Sequence, residues 1–372
     1  MSWTAKRFII DRLKAAGVSV DGPEPWSPTV RDDRLWARLL RDGTLGLGES
    51  YMDGWWDAPA LDQFLFRLIE TNVQDAFPKD LAEVWSIVKG RLLNLQRRHV
   101  TEVGEKHYDI GNELYSAMLD RRMVYSCGYW QGASDLDAAQ EAKLDLICRK
   151  LGLREGMRIL DIGSGWGGFL RFAAERYHVS GLGITISKEQ AALANALSEG
   201  LPVETRLLDY QALEGQFDRV VSVGMFEHVG QKNYRAFFEK AASLVKPDGL
   251  FLLHTIGGHH STTHGDPWSE KYVFPNGMLP SIAQVGHAIE GLFVMEDWHN
   301  FGADYDRTLM AWRDNFDAAW PGLKGDKYDE RFQRMWRYYL SSFAAMFRAR
   351  RLSLWQIVLS PNGVPGGYRS AR

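Results

Sequence analysis

A chain of 372 residues with a formal charge of -3 has no basic excess, which argues against a nucleic-acid partner, whose phosphates are met by clustered Lys and Arg. Two cysteines, Cys127 and Cys148, are too few for a disulfide framework or a cysteine-rich zinc site and fit a reducing compartment, with cytoplasm as the default. No run of about 18 apolar residues occurs, so any membrane contact is expected to be peripheral. The opening MSWTAKRFIIDRLKAAG interrupts its apolar run with Asp11 and Arg12 and reads as neither secretory signal nor span.

In chain order, the spacing of Phe8, Ile9, Leu13 and Ala16 predicts an amphipathic helix, opening a small helical domain over residues 1–95. Gly22, Pro23, Pro25 and Pro28 make residues 21–29 a loop, and residues 32–40 are read as a helix stopped by Gly43. LGLGESYMDGWWD, residues 45–57, reads as a compact turn packed by Trp55 and Trp56. Helices follow over 61–69 and 81–95. The second carries Lys89, Arg91, Arg97 and Arg98 around Leu92, Leu93 and Leu95, which suits a solvated face, a domain contact or an anionic membrane surface. Residues 96–110 read as a linker, and the catalytic domain is placed at 111–372.

After the linker the pattern alternates. Helices are expected over 137–151, 187–197 and 234–245, and strands over 157–162, 179–184, 203–208, 217–223 and 250–256, with Lys246 to Gly249 as a turn. Helices over 281–291, 309–320 and 328–350 and strands near 293–298 and 354–359 complete the chain. This is the order of a doubly wound α/β domain.

MRILDIGSGWGGF, residues 157–169, is its organising stretch: an apolar strand runs into a turn crowded by Gly163, Gly165, Gly167 and Gly168, and a helix follows. Glycine admits backbone close to a ligand, and the helix start aims free N–H groups into the turn. Ligands of open parallel sheets lie beyond the carboxyl ends of the strands. There the sequence places Asp161, then Thr185, Ser187 and Gln190, then Asp209 and Tyr210, then Glu227 and His228, with His254 in the fifth strand. The second strand lacks the terminal acid of a dinucleotide enzyme, and DxGxGxG suits S-adenosylmethionine better. Asp209 either meets an adenine edge or caps a turn. His254 lies across from Glu227, where the two can share a proton or clamp an anion. His228 reads as a structural cap. His259, His260 and His264 lack a carboxylate at ligand spacing and read as incidental surface residues, so no metal is expected.

LGLGESYMDGWW, KHYDIGNELY, YSCGYW, LDIGSGWGG, GITISKEQ, FDRVVSVGMFEHVG, FLLHTIG, YVFPNGMLPS, DWHNFGADYDRTLMAW and FRAR together resemble cyclopropane fatty acid synthases, over nearly the whole chain. The resemblance implies a class I S-adenosylmethionine methyltransferase domain of Rossmann-like fold behind a small helical domain. It also implies transfer of a methylene group to cis double bonds of unsaturated phospholipid acyl chains. A bicarbonate ion is the implied base, held by Cys127, Glu227, His254, Ile256 and Tyr305, with Cys127 and Ile256 acting through backbone groups. Implied cofactor contacts are Tyr125, Ser126, Asp161, Gly163, Gly165, Thr185, Gln190, Asp209 and Tyr210. The leading domain points to the phospholipid-acting branch, peripherally attached at the inner face of the membrane, and the expected assembly is a homodimer. Ser164 stands where many members carry Cys. Because backbone forms this turn, little change is expected.

Overall fold

The computed structural model describes residues 2–72 and 110–372. The predicted 81–95 helix, its basic residues and all but the last position of the 96–110 linker lie outside the described residues. The chain divides into two compact units. The smaller takes in the described part of Met1–Leu93 with Thr263–Pro275 and Leu309–Leu352, and the larger the described part of Asn94–Thr262 with Asn276–Thr308 and Ser353–Arg372.

The smaller unit is helical apart from a two-stranded ribbon, β1 (Thr29–Val30) against β2 (Trp56–Asp57). Its helices include Ser2–Ala15, Arg34–Met52, Leu61–Glu70 and Glu330–Arg348. Gly43 does break the predicted helix, with φ 53 and ψ -128, but helix resumes at once and runs to Met52. The reading of 45–57 as a compact turn is therefore corrected. Gly46 and Gly48 are there for close packing: a Cβ at Gly48 would overlap the Trp268 indole, and one at Gly46 would stand 2.8 Å from the Arg38 carbonyl oxygen. Glu49, buried on this helix, accepts from Arg38, Lys271 and Tyr272, and these partners outweigh its desolvation and hold its pKa at about 2.

The larger unit carries a seven-stranded sheet. Its strands are β3 (Arg158–Ile162), β4 (Ser180–Thr185), β5 (Val203–Leu207), β6 (Phe217–Val223), β7 (Val245–Gly258), β8 (Val294–Asn300) and β9 (Leu352–Ser360), in spatial order β5-β4-β3-β6-β7-β9-β8. Strands β5, β4, β3, β6 and β7 are parallel, and β8 runs antiparallel to β9. The direction of winding reverses between β3 and β6, the place where open α/β sheets take ligands. Strand β7 absorbs the predicted Lys246–Gly249 turn: pairing with β6 slips between Phe217↔Val245 and Arg219↔Leu250 and then continues in register to Val223↔His254.

Alternation along the strands sorts the core onto two faces. Leu160, Ile162, Phe251 and Leu253 pack with Phe237, Phe238 and Ala241 of the Tyr234–Leu244 helix. Ile159, Val221, Leu250 and Leu252 pack with Leu144, Ile147 and Leu151 of the Leu136–Leu151 helix and with Phe169 and Phe172 of the Gly168–Tyr177 helix. Asp161 follows Ile159 by two positions, and His254 follows Leu252 by two, so both polar residues emerge on the face covered by Leu136–Leu151.

Candidate active site

The turn after β3 is fixed by backbone. Gly163, Gly165 and Gly167 have φ of 83, 54 and 74, a region costly for any residue with a Cβ. The Gly163 and Ser164 N–H groups both donate to the Ile184 carbonyl at 3.0 Å, tying the turn to β4. A Cβ at Gly163 would lie 2.6 Å from Met225, whereas one at Gly165 would meet nothing within 4 Å. The turn thus presses on protein at one glycine and leaves open space at the next. Buried Arg171 braces it from behind, donating to the Trp166 carbonyl at 2.6 Å.

Of the side chains expected around a cofactor, Thr185 ends β4, the strand this turn is tied to, and Asp209 and Tyr210 follow β5, the strand beyond it. Thr185 Oγ1 bonds Gln190 Oε1 at 2.7 Å and accepts the Ser187 N–H at 3.2 Å, while Ser187 caps the Lys188–Leu197 helix at the Gln190 N–H. Asp209 Oδ1 accepts the Gln211 N–H at 2.9 Å and leaves its second oxygen for other use. Tyr210 packs edge-on against Phe237, and Tyr125 edge-on against Tyr115. Asp161 is buried with Oδ1 unpartnered, and desolvation lifts its pKa to about 7 against the pull of Lys143. An orphaned buried carboxylate oxygen beside a glycine turn with open space over Gly165 fits a nucleoside cofactor.

A second cluster forms at the ends of β6 and β7. Glu227 sits on the single turn Phe226–His228 that follows β6, and its Oε1 accepts the Ile256 N–H at 2.7 Å. Its Oε2 is buried without a partner. Burial raises the pKa of Glu227, and the hydrogen bonds from Ile256, its own N–H and Thr255 oppose that rise. His254 Nδ1 lies 3.3 Å from Gln356 Nε2. An amide nitrogen can only donate, so Nδ1 accepts and the ring proton is on Nε2, which has no partner. Burial, reinforced by the charges of Lys143 and Lys150, holds the His254 pKa well below its ordinary value and keeps the ring neutral. A buried acceptor and a buried donor, neither with a partner among the described residues, are thus both tied to β7: His254 lies in it, and Glu227 holds the Ile256 N–H two positions on.

Cys127 and Tyr305 are linked to each other through the Ala303–Leu323 helix. Thr308 Oγ1 accepts the Gly128 N–H at 3.1 Å and the Trp130 indole N–H at 2.9 Å, and Asp304 accepts the Trp130 N–H at 2.7 Å. These bonds fasten the 127–130 stretch to the turn of helix that carries buried Tyr305. The Cys127 thiol is fully buried, donates to the Gly128 carbonyl at 3.1 Å and has its pKa pushed well up by desolvation, which makes it a poor nucleophile. Ile256 reaches the cluster through its N–H, which orients Glu227. His228 is half-buried, with desolvation lowering its pKa to about 4, which keeps it neutral. His259 and His260 are exposed, His259 Nε2 lying 3.2 Å from Ser353 Oγ. Among the described residues no group of three or more His, Cys, Asp or Glu could hold a metal ion.

Sequence reasoning missed Gln140, Lys143, Lys150, Thr308 and Gln356. A signal existed for three of them: Gln140, Lys143 and Lys150 recur at helical spacing on a face otherwise made of Leu, Ile and Ala.

A family model described as mycolic acid cyclopropane synthetase matches residues 95–357. The chain belongs to that family. Over 367 residues it is 50% identical to the cyclopropane-fatty-acyl-phospholipid synthase of Escherichia coli (strain K12), covering 98% of this chain and 96% of that protein. It is 33% identical over 392 residues to the tuberculostearic acid methyltransferase UfaA1 of Mycobacterium tuberculosis, covering 97% and 90%. Among solved structures, mycolic acid cyclopropane synthase CmaA1 complexed with SAH and CTAB aligns with a TM-score of 0.65 and 32% identity, covering 70% of this chain and 97% of that one. The cyclopropane synthase MmaA2 from Mycobacterium tuberculosis aligns at 0.64 and 30%, with the same coverage. As a member of this family the chain is an enzyme of the class I S-adenosylmethionine methyltransferase fold.

Proposed function

We propose that this enzyme uses S-adenosylmethionine to convert cis double bonds of unsaturated acyl chains in membrane phospholipids into cyclopropane rings, with bicarbonate as general base. The observation that carries the reading is that two buried atoms of opposite character, Glu227 Oε2 and His254 Nε2, have no partner among the described residues while both side chains are tied to β7. A phospholipid rather than a mycolic acid is favoured by coverage: the Escherichia coli synthase matches 98% of the chain, cyclopropane mycolic acid synthase 1 of Mycobacterium tuberculosis 66%.

The cofactor supplies an electrophilic methyl group when bound. Gly163 and Gly165 would admit it, and Asp161, Tyr125, Ser126, Thr185, Gln190, Asp209 and Tyr210 would hold it. Bicarbonate matches the second cluster because it is an anion that also carries a hydroxyl: His254 Nε2–H suits its charged oxygens and Glu227 Oε2 its hydroxyl, with Tyr305 and the backbone at Cys127 completing the set. A neutral His254 is the required form, since only Nε2 then carries a proton and Nδ1 stays on Gln356. Ile256 fixes the rotation of Glu227, and the surrounding apolar core keeps water from a cationic centre. The π faces of Tyr305 and Tyr125 are suited to stabilising positive charge by about 1–2 kcal/mol each when desolvated. No helix among the described residues is long and apolar enough to cross a membrane. On the family resemblance we assign access to the acyl chain to peripheral attachment at the inner membrane face, by a homodimer.

Incubating the protein with S-adenosylmethionine and vesicles of cis-unsaturated phospholipid tests the reading. Mass spectrometry should show one CH2 gained per modified chain, and NMR should show alkene signals replaced by those of a cyclopropane ring. A methyl-branched product would favour the chemistry named for the tuberculostearic acid relative instead. An unchanged lipid profile would contradict both.

A further inference from the structure

Lys143 is fully buried on the sheet-facing side of the Leu136–Leu151 helix. A buried ammonium costs stability unless its donors are met and its charge is compensated. Lys150, two turns on and equally buried, has Asp297 at 3.5 Å and His299 Nδ1 at 3.0 Å. Among the described residues Lys143 has neither kind of partner in contact. Its Nζ donates to one group, the Ser126 hydroxyl, at 2.8 Å. One turn earlier, Gln140 Nε2 donates to the Ser126 carbonyl at 2.7 Å and reaches that of Val124 at 3.4 Å. The Tyr129 N–H closes the same seam on the Ala139 carbonyl at 2.9 Å. The 124–129 stretch is therefore laced to this helix at Ser126 by both backbone and side chain.

The titratable groups acting on Lys143 are Asp120, Cys127 and Asp161. Asp120 already accepts the Val124 and Arg122 N–H groups at 2.9 Å each, and the Cys127 thiol is held protonated. Asp161 is different: it projects from β3 onto the face this helix covers, and its Oδ1 has no partner. An ammonium takes a lone pair of Ser126 Oγ, so the hydroxyl proton must point elsewhere as a donor, strengthened by the bond it accepts. A donor hydroxyl and an ionised carboxylate set around one cation suit a ligand that presents an anionic oxygen and donor groups together, as a nucleoside with an amino-acid tail does.

We propose that Lys143 is a positioning residue for the cofactor site, fixing Ser126 as a hydrogen-bond donor and maintaining the charge of Asp161 from the helix that covers its face of the sheet. The inference rests on the cofactor reading above. Desolvation moves the two groups toward their uncharged forms and their mutual attraction resists it, the balance standing at about 7 for Asp161 and about 8 for Lys143.

Calorimetric titration of the full chain with S-adenosylhomocysteine at several pH values tests it. Lys143→Met should weaken binding about tenfold or more, as expected for loss of a desolvated charge-assisted contact. The wild-type affinity should rise with pH through the Asp161 transition, and in Lys143→Met that transition should move to higher pH, a shift that a purely structural lysine would not cause. Ser126→Ala should weaken binding to a similar degree with little change in Tm, and the double variant should bind no worse than the weaker single one. Wild-type affinity in Lys143→Met with an unmoved pH transition, or losses that multiply in the double variant, would overturn the inference. Should Lys143→Met not fold, Ser126→Ala decides: affinity within about twofold of wild type refutes the arrangement. A wild-type protein that binds no S-adenosylhomocysteine would defeat the cofactor reading itself, whereas a wild type that binds and turns over beside unaffected variants defeats only the role of Lys143.

Discussion

Between Asp161 and Gly168 the chain shapes the proposed cofactor site with its backbone, and at Glu227 and His254 it shapes the proposed anion site with side chains. The first region is local: positive φ at three glycines, two N–H groups on the Ile184 carbonyl, and the start of a helix. The second draws on distant parts of the chain, with Glu227 set by Ile256 and His254 by Gln356. A backbone cradle can serve any reaction that uses its cofactor. Buried side chains with unmet hydrogen bonds are costly, and so they define one particular chemistry.

That contrast predicts opposite responses to mutation. Glu227→Gln should lower turnover by about 10³-fold, within the range for losing a group that orients acid–base chemistry, while affinity for S-adenosylhomocysteine stays within about twofold. Loss of both in step would erase the distinction between the two regions. Gly163→Ala should do the reverse. A Cβ at a φ of 83, 2.6 Å from Met225, is expected to cost about 1–3 kcal/mol of stability and to weaken cofactor binding about tenfold or more, measured by thermal melts and calorimetry.

Asp161→Asn sharpens the comparison through pH. The folded protein holds this carboxyl's proton up to about pH 7, whereas the unfolded chain releases it near the ordinary 3.8, so ionisation erodes wild-type stability as pH rises through that window. The variant removes this erosion, and its gain in Tm over wild type should be larger at pH 8 than at pH 5, with cofactor binding weakened. The smallest effect is expected at Cys127. Its thiol is buried and protonated, so Cys127→Ala should lower turnover by less than about tenfold through packing, and mass spectrometry during turnover should find no covalent adduct.

Much of this was legible in the sequence because it is local or periodic. The glycine turn announces itself through LDIGSGWGG, and parallel strands buried on both faces read as apolar runs in which Asp161 and His254 stand out. Glycine was misleading where it serves packing: Gly46 and Gly48 suggested a turn, yet they sit in helix because Arg38 and Trp268 press on them. The supports of the second region were illegible for a related reason. Nothing near Gln356 in sequence indicates that β9 lies beside β7 and carries it to His254 across 102 positions, and nothing near Thr308 foretells its grip on Gly128. Tertiary packing decides such pairings, and local propensity carries no record of it.

The most direct test is a crystal structure of the S-adenosylhomocysteine complex grown with bicarbonate. A trigonal planar anion held by His254 Nε2 and Glu227 Oε2, with Tyr305 beside it, is the predicted result. A site filled by water alone, or closed by a direct Glu227–His254 hydrogen bond, would contradict the account.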